Sequence, residues 1–180
     1  MTTRADRLSE GGTTRRTALD PIDLRILVTL QQEGRITKLA LAERVGLSAS
    51  PCWERLRRLE AAGIIAGYHA RVAMRLLGPI ATVFAEVTLG SHRQADFARF
   101  ETAVREIPEI VECWALGGGV DYLLKVVTRD VDAYQRLIDG LLAADLGIDR
   151  YFTYVVTKPV KEAAPPLERL VIPEAAAAPV

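Results

Sequence analysis

The sequence has few of the residues that build metal centres, covalent active sites or disulfide frameworks. Its 180 residues contain two histidines and two cysteines, and no His, Cys, Asp and Glu residues share the spacing of metal ligands. No glycine-rich loop carries the lysine of a nucleotide-binding motif. We therefore predict a protein that is not an enzyme, with no catalytic residue, no metal and no cofactor.

The cysteines and histidines are also too scattered to act together. Cys52 falls in a predicted helix and Cys113 in a predicted strand of another domain. Two buried structural thiols are a better interpretation than a disulfide or a nucleophile. His69 follows the first predicted domain and His92 stands at the end of a predicted strand, so we interpret both as surface or linker residues.

Long apolar runs are absent as well. No stretch approaches the roughly 20 apolar residues that cross a bilayer, and the N-terminal MTTRADRLSEGGTTRRT lacks the apolar core of a secretory signal. These features predict a cytoplasmic protein without a membrane partner. The length suffices for two small domains, and a hydrophobic content of 49% supplies a core for each.

Three helices are predicted in the first part of the chain, because apolar residues recur there at helical spacing. The predicted helices run from Pro21 to about Gln32, from about Thr37 to Val45 and from Ala49 to Ala62. Gly46 can adopt the positive φ that ends the second helix, and the Ser48 hydroxyl can cap the third. Two helices joined by so short a turn indicate a helix-turn-helix.

The third helix has one apolar and one polar face on a helical wheel. Cys52, Leu56 and Leu59 form a narrow stripe that is predicted to face the core, and polar residues such as Arg57 lie on the opposite side. A polar helix presented by a helix-turn-helix fits the DNA major groove. We therefore predict that the partner is double-stranded DNA.

The outward residues of this helix are candidates for reading bases: Ser50, Trp53 and Arg57. Arg57 can donate two hydrogen bonds to guanine O6 and N7. Glu54 either accepts from cytosine N4 or, in the interpretation that we favour, holds Arg57 from three residues away. Trp53 either packs at the helix flank or contacts a thymine methyl or sugar. The predicted DNA-contacting residues are Arg35, Thr37, Ser48, Ser50, Pro51, Trp53, Glu54, Arg57 and Arg58.

Basic residues are concentrated in the same half of the chain. Residues 1–68 contain 11 Lys and Arg against 8 Asp and Glu, and residues 69–180 contain 12 against 15, so the net charge of zero divides into +3 and −3. Ser48 and Arg58 are predicted to contact phosphates, and Arg55 to pair with an acid of another helix. Further cations that could reach phosphates are Arg4, Arg7, Arg15, Arg16, Arg35, Lys38, Arg44 and Arg57.

The second half of the chain predicts a different architecture. Strands are expected at Ile80 to Leu89, Ile110 to Leu116, Tyr122 to Thr128 and Ile148 to Lys158, with helices at His92 to Ile107 and Asp130 to Ala143. The order βαββαβ predicts a ferredoxin-like sandwich in an α+β chain. Neither sheet face is consistently polar, so we expect a second copy to cover the face without helices. A two-fold dimer in turn predicts a palindromic DNA site.

Five segments follow from these patterns. Residues 1–18 are a basic extension predicted to be disordered, 19–68 the helix-turn-helix domain, and 69–79 a linker. Residues 80–162 form the ferredoxin-like domain and 163–180 a C-terminal tail, whose final PEAAAAPV is predicted to be solvated or loosely packed.

The two central strands are joined by an unusually glycine-rich loop. Gly117, Gly118 and Gly119 precede Asp121 and Tyr122, which is more glycine than a tight hairpin needs. Missing side chains allow backbone N–H groups to approach a small ligand or another chain. The alternative is a flexible turn that Asp121 caps.

Several segments in the same order resemble the leucine-responsive and asparagine-responsive regulators, the Lrp/AsnC or feast-famine family. They are LDPIDLRILVTLQQEGRIT at 19–37, LAERVGLSASPCWERLRRLEAAGIIAGYHA at 41–70, FAEVTL at 84–89, VDYLLKV at 120–126, DVDAYQRLI at 130–138 and TYVVTKPVK at 153–161. The resemblance implies a transcriptional regulator whose second domain, of the RAM type, binds a small amino-acid effector at a dimer interface. It also implies homodimers that assemble into octamers or other higher oligomers.

The family's corresponding loop reads Gly-Asp-x-Asp, and this chain has Gly119 in place of the first aspartate. Asp121 could pair with the ammonium of an amino acid and the loop N–H groups with its carboxylate. The predicted effector-binding residues are Gly117, Gly118, Gly119, Val120, Asp121, Tyr122 and Thr153. The alternatives are a regulator without an effector, or an enzyme such as the sirohaem decarboxylases of similar architecture. Stand-alone amino-acid sensors lack the helix-turn-helix that this chain has.

Overall fold

The computed structural model describes residues 18–171, which divide into two compact units. One unit runs to Arg71 and includes the chain again from Ala163, and the other spans Val72–Glu162. The predicted basic extension with Arg4, Arg7, Arg15 and Arg16 lies outside the described residues, apart from its last residue, and so does the predicted tail from residue 172. None of the described helices is long and apolar enough to cross a membrane.

Three helices build the first unit, close to the predicted bounds: α1 at Pro21–Gln32, α2 at Lys38–Val45 and α3 at Ala49–Ala61. A capping box begins α1, in which Asp20 Oδ1 accepts hydrogen bonds from the N–H groups of Ile22 and Asp23 at 2.8 Å each. The α2 helix ends at Gly46 in the left-handed region, with φ of 75°. The turn between α2 and α3 is therefore confirmed.

The predicted cap of α3 is wrong. Ser48 occupies the N-cap position with extended backbone, but its side chain makes no capping hydrogen bond. An N-cap oxygen accepts from the N–H of the second or third helical residue. The third helical residue here is Pro51, which has no N–H, and the Ser48 hydroxyl does not accept from the second, Ser50. The Ser48 hydroxyl is exposed and unused by the helix.

The core of the first unit is formed by one face of each helix. Its buried residues are Ile26, Leu27, Leu41, Ala42, Val45, Cys52, Leu56 and Leu59. A short helix, α6 at Leu167–Leu170, adds Leu167 to this cluster and contacts α1. Residues 163–171 of the predicted C-terminal tail thus belong to the first unit, and the prediction for PEAAAAPV lies outside the described residues.

The second unit has the predicted βαββαβ order. Its elements are β1 at Ala81–Leu89, α4 at Gln94–Arg105, β2 at Ile110–Ala115, β3 at Tyr122–Thr128, α5 at Val131–Ala143 and β4 at Ile148–Val155. The antiparallel sheet has the order β2-β3-β1-β4, which confirms the ferredoxin-like sandwich. The prediction that the glycine loop joins the two central strands is wrong, because β2 lies at an edge of the sheet. Asp130 caps α5, with its carboxylate accepting from the Ala133 N–H at 2.6 Å.

The two faces of the sheet differ in what covers them. On β1 and β3 every second residue is buried against α4 and α5, for example Val83, Ala85 and Leu124. The opposite face carries large apolar side chains, of which Trp114, Phe152 and Tyr154 are exposed in the single chain. We call this face, formed by Phe84, Trp114, Leu123, Phe152 and Tyr154, the open face.

The two cysteines have different environments. Cys52 is buried in the helix-turn-helix core, as predicted, but Cys113 is exposed. Cys113 lies on β2, an edge strand of the sheet, where packing by the helices is incomplete. The prediction of a buried structural thiol at residue 113 is therefore wrong.

Candidate DNA-binding helix and effector loop

The predicted outward face of α3 is exposed. Ser50, Glu54 and Arg57 are open to solvent, whereas Cys52 and Leu56 are buried. Within residues 18–171, Arg57 has no ion-pair partner, and neither has Glu54. The pairing of Glu54 with Arg57 that we favoured is thus not formed, because two hydrated surface charges gain little from closing such a contact. Arg57 keeps all of its donors.

Trp53 packs at the helix flank. The Lys38 Nζ lies 3.3 Å from the centroid of its ring, a cation–π contact between α2 and α3. The indole is partly buried against the helix-turn-helix core. Of the two interpretations of Trp53, packing at the flank is the one that the structure supports, and Lys38 is held by this contact.

The remaining predicted DNA contacts lie before α2, in α2 and at the start of α3. The Thr37 hydroxyl accepts from the Ala40 N–H at 3.2 Å and so caps α2. Arg44 pairs with Glu33 at 3.3 Å. Arg35 and Ser48 are exposed, and Pro51 is half-buried in the first turn of α3.

Arg55 pairs with acids of another helix, as predicted. It contacts both Asp20 and Asp23 of the α1 capping box, with 2.8 Å between Arg55 Nη1 and Asp23 Oδ1. Burial alone would raise the pKa of Asp20, but hydrogen bonds from the Asp23 N–H and from Arg55 lower it below its ordinary value. The hydrogen bond to Asp20 in turn raises the pKa of Arg55.

Arg58 shares one of these acids. Its Nη2 lies 2.5 Å from Asp23 Oδ2, so a residue that we predicted to contact phosphate has a partner within its own chain. The sequence did not predict Asp23 as the partner of Arg55 and Arg58. Its place three residues after the N-cap Asp20 indicates only a capping box.

The glycine loop is open on its outer side. Gly117, Gly118 and Gly119 are exposed, none has a positive φ, and a Cβ added to any of them would meet no atom within 4 Å. Neither backbone conformation nor packing within the chain therefore requires glycine at these positions. The loop closes with a hydrogen bond from the Leu116 N–H to the Asp121 carbonyl at 2.8 Å.

Asp121 is anchored to β1. Its Oδ2 accepts from the backbone N–H of Leu89 at 2.8 Å, and its Oδ1 lies 3.1 Å from His92 Nε2. His92 is exposed, as predicted, and also stacks on Phe97 with ring centroids 5.8 Å apart. The interpretation of Asp121 as a residue that fixes the turn thus has structural support.

Tyr122 and Thr153, two predicted effector-binding residues, do not face an exposed site within one chain. Tyr122 is buried, and its hydroxyl donates to Glu101 at 2.9 Å. Burial and this carboxylate raise the pKa of Tyr122. Thr153 lies on β4, two strands away from β3, with its hydroxyl 2.6 Å from that of Tyr134. Within one chain, the structure does not bring Thr153 to the glycine loop.

An apolar groove of about 840 Å³ lies along α4 and α5 and was not predicted. Its lining includes Ile107, Leu137, Gly140 and Leu141, but no residue of the glycine loop. In the part of the chain that the structure describes, no three His, Cys, Asp or Glu residues are placed to hold a metal ion.

Known proteins are similar to both units. A family model described as winged helix-turn-helix DNA-binding matches residues 19–66, and the Lrp/AsnC ligand binding domain matches residues 82–166. The transcriptional regulatory protein DoeX of Halomonas elongata is 54% identical over 143 residues, or 79% of this chain and 90% of that protein. The leucine-responsive regulatory protein of Escherichia coli K12 is 44% identical over 154 residues, or 86% and 92%.

A solved structure with the same architecture contains an amino acid. It is a transcriptional regulator from Neisseria meningitidis in complex with L-Met, with a TM-score of 0.78 and 34% identity over 85% of this chain and 99% of that one. Since the relatives span most of both chains and the two family models follow in the same order, this chain belongs to the Lrp/AsnC family of DNA-binding transcriptional regulators.

Proposed function

We propose that this regulator reads DNA through the exposed face of α3, with Arg57 as its principal base contact. Arg57 is supported by its exposure and by the absence of an acidic partner among the described residues. An unpaired guanidinium on a recognition helix can donate two hydrogen bonds to one guanine. Ser50 and Glu54 lie on the same face and supply a further donor and an acceptor.

We propose further that the protein works as a dimer joined through the open face. Most of the charged groups on this face have a partner within the chain: Lys125 pairs with Glu112 at 2.7 Å, and Glu86 accepts from the Tyr154 hydroxyl at 3.2 Å. Arg150, on the same face, lies over the Phe152 ring at 5.5 Å. An isologous dimer places two α3 helices for successive major grooves, roughly 34 to 36 Å apart, on a palindromic site. Higher oligomers such as octamers would be assembled from this dimer.

An amino acid bound at the glycine loop is the effector that we propose. The carrying observation is that three consecutive glycines face open space although the chain itself does not require them. Backbone N–H groups without side chains can approach a carboxylate, and the Asp121 carboxylate is near enough in sequence to pair with an ammonium. The similar regulator solved with L-Met supports the same ligand class.

One observation favours a regulator without an effector. Asp121 already accepts a hydrogen bond from the Leu89 N–H and contacts His92, and Gly119 supplies no second carboxylate. In a regulator without an effector, the glycine loop would instead contact another protein chain. We propose that the protein has no catalytic activity, because the relatives are named as transcriptional regulators. We also propose that it acts in the cytoplasm.

Footprinting of the tagged full-length protein on genomic DNA, with and without each of the twenty amino acids, tests these proposals together. We expect protected palindromes and at least one amino acid that changes their occupancy. Protection that no amino acid alters, with no heat in calorimetric titrations, would establish the regulator without an effector. No protection at low ionic strength would reject DNA reading by α3.

A further inference from the structure

A buried carboxylate lies directly behind the recognition helix. The side chain of Asp23 is 1% exposed, and it accepts from Arg55 at 2.8 Å, from Arg58 at 2.5 Å and from the backbone N–H of Asp20 at 3.2 Å. A buried carboxylate without partners is strongly unfavourable. Asp23 therefore holds both arginines against α1, and its own side chain is almost inaccessible to solvent.

The three arginines at the centre of α3 are held to different extents. Arg55 is 26% exposed and contacts both Asp20 and Asp23. Arg58 is 51% exposed and uses a single terminal nitrogen on Asp23, so other N–H groups of its guanidinium remain available. Arg57 has no acidic partner among residues 18–171. Arg58 is therefore both oriented by the protein and open to a ligand.

We propose that Asp23 is a positioning residue for DNA binding, which orients the Arg58 guanidinium toward a backbone phosphate at the edge of the major groove. The inference rests on the proposed reading of DNA by α3. An arginine side chain loses much rotational freedom when it is fixed on a ligand. Since Asp23 has already fixed Arg58 in the free protein, that loss does not oppose binding.

The charges of the group are compatible with a phosphate nearby. Asp20, Asp23, Arg55 and Arg58 sum to zero, and the carboxylate of Asp23 is covered by the guanidinium groups. A phosphate would approach the exposed side of Arg58 and not the carboxylate. If Arg58 moved toward the phosphate, Asp23 would still keep Arg55 and the Asp20 N–H as donors.

A double-mutant cycle on DNA affinity tests the inference. The variants are Asp23→Asn, Arg58→Gln and their combination, measured by fluorescence anisotropy on a duplex recovered by footprinting, over a range of salt concentrations. We expect each single change to weaken binding about tenfold, and the combination to be no weaker than Arg58→Gln alone. Arg58→Gln should also lower the slope of log Kd against log salt by about one, because one phosphate contact is lost.

Arg57 supplies the matched control. Asp23→Asn should weaken binding as much in an Arg57→Gln background as in the wild type, because Asp23 does not touch Arg57. Equal losses from Asp23→Asn with and without Arg58 would show a purely structural role and overturn the inference, and so would an unchanged salt slope in Arg58→Gln. If Arg57→Gln also bound DNA like the wild type, the proposed reading by α3 would fail as well.

A second measurement covers the case in which Asp23→Asn does not fold. Relaxation of the arginine side-chain ¹⁵Nε groups in the wild-type protein should show Arg58 rigid both with and without duplex DNA. Arg57 should become rigid only in the complex. Equal mobility of Arg57 and Arg58 in the free protein would overturn the proposed positioning by Asp23.

Discussion

Asp121 fastens the glycine loop to β1, because its Oδ2 accepts a hydrogen bond from the backbone N–H of Leu89 at 2.8 Å. The same carboxylate is the one that we propose for an effector ammonium. Anchoring the loop requires only an acceptor, whereas an ammonium requires a charge, so the two roles can be separated by substitution.

Asp121→Asn keeps an oxygen for the Leu89 N–H and removes the charge. We expect thermal stability within about 1 kcal/mol of the wild type and an amino-acid affinity about tenfold lower, because charge-assisted hydrogen bonds are the stronger ones. Calorimetric titration and thermal melting measure the two effects. Asp121→Ala, the control, should lower both the thermal stability and the amino-acid affinity. An Asp121→Asn variant that binds amino acids like the wild type would contradict the ammonium role.

Gly119→Asp places a carboxylate where the family pattern has one. The position has open space around it and no positive φ, so the new side chain should be accepted without strain. We expect the affinity for the effector to rise about tenfold through a second charged contact with its ammonium. Gly119→Asn, with the same shape and no charge, is the control, and an equal gain in both variants would exclude the electrostatic explanation.

Arg57→Ala tests base reading. We expect binding to weaken by roughly 1 to 3 kcal/mol and the preference at one base pair to relax, as measured with duplexes that differ at single positions. Arg35→Ala, which removes an exposed cation outside α3, should weaken all duplexes alike. If Arg57→Ala also weakened every duplex equally, Arg57 would be a phosphate contact.

Phe152→Glu tests the open face as a dimer interface. Phe152 is 48% exposed in the single chain, and a buried charge opposite a second copy would be unpaired. We expect dissociation to monomers in sedimentation experiments. Leu142→Glu on α5 is a matched control, since Leu142 is 43% exposed but lies on a helix. A dimer that persists in Phe152→Glu would place the interface elsewhere.

Cys113 should react slowly with alkylating reagents although the residue is exposed. Partial desolvation of its sulfur, with a contribution from Glu101, raises the pKa of Cys113 to about 11. Since the thiolate is the reactive form, its rate at pH 8 should be roughly a hundredfold below that of a thiol with the ordinary pKa, and should rise with pH up to about 11. Mass spectrometry of the labelled peptide separates Cys113 from Cys52. A rate in the folded protein equal to that in urea would contradict this environment.

Local patterns predicted the fold because they depend on neighbours in sequence. The bounds of α1, α2 and β3, the left-handed Gly46 and the cap of α5 at Asp130 all followed from spacing and capping rules. The sequence showed only part of the reason for the failed cap at Ser48: Pro51 at the third helical position has no N–H, but the N–H of Ser50 at the second was still available.

The contacts that the sequence did not predict join residues far apart. Arg58 meets Asp23 across 35 positions, and Asp121 meets Leu89 across 32. No periodicity specifies such partners, which depend on how α1 packs on α3 and how β1 lies beside β3. Thr153 remains a prediction, since its distance from the glycine loop within one chain leaves only a second copy to bring them together.

The acidic pair on α1 also limits how this regulator can be re-engineered. A recognition helix transplanted alone into a different helix-turn-helix scaffold would carry Arg55 and Arg58 away from Asp20 and Asp23. Arg58 would then be free to rotate, and we expect the chimera to bind DNA more weakly than one that also receives α1. The portable module is therefore the helix pair α1 and α3, and exchanges of operator preference should move both together.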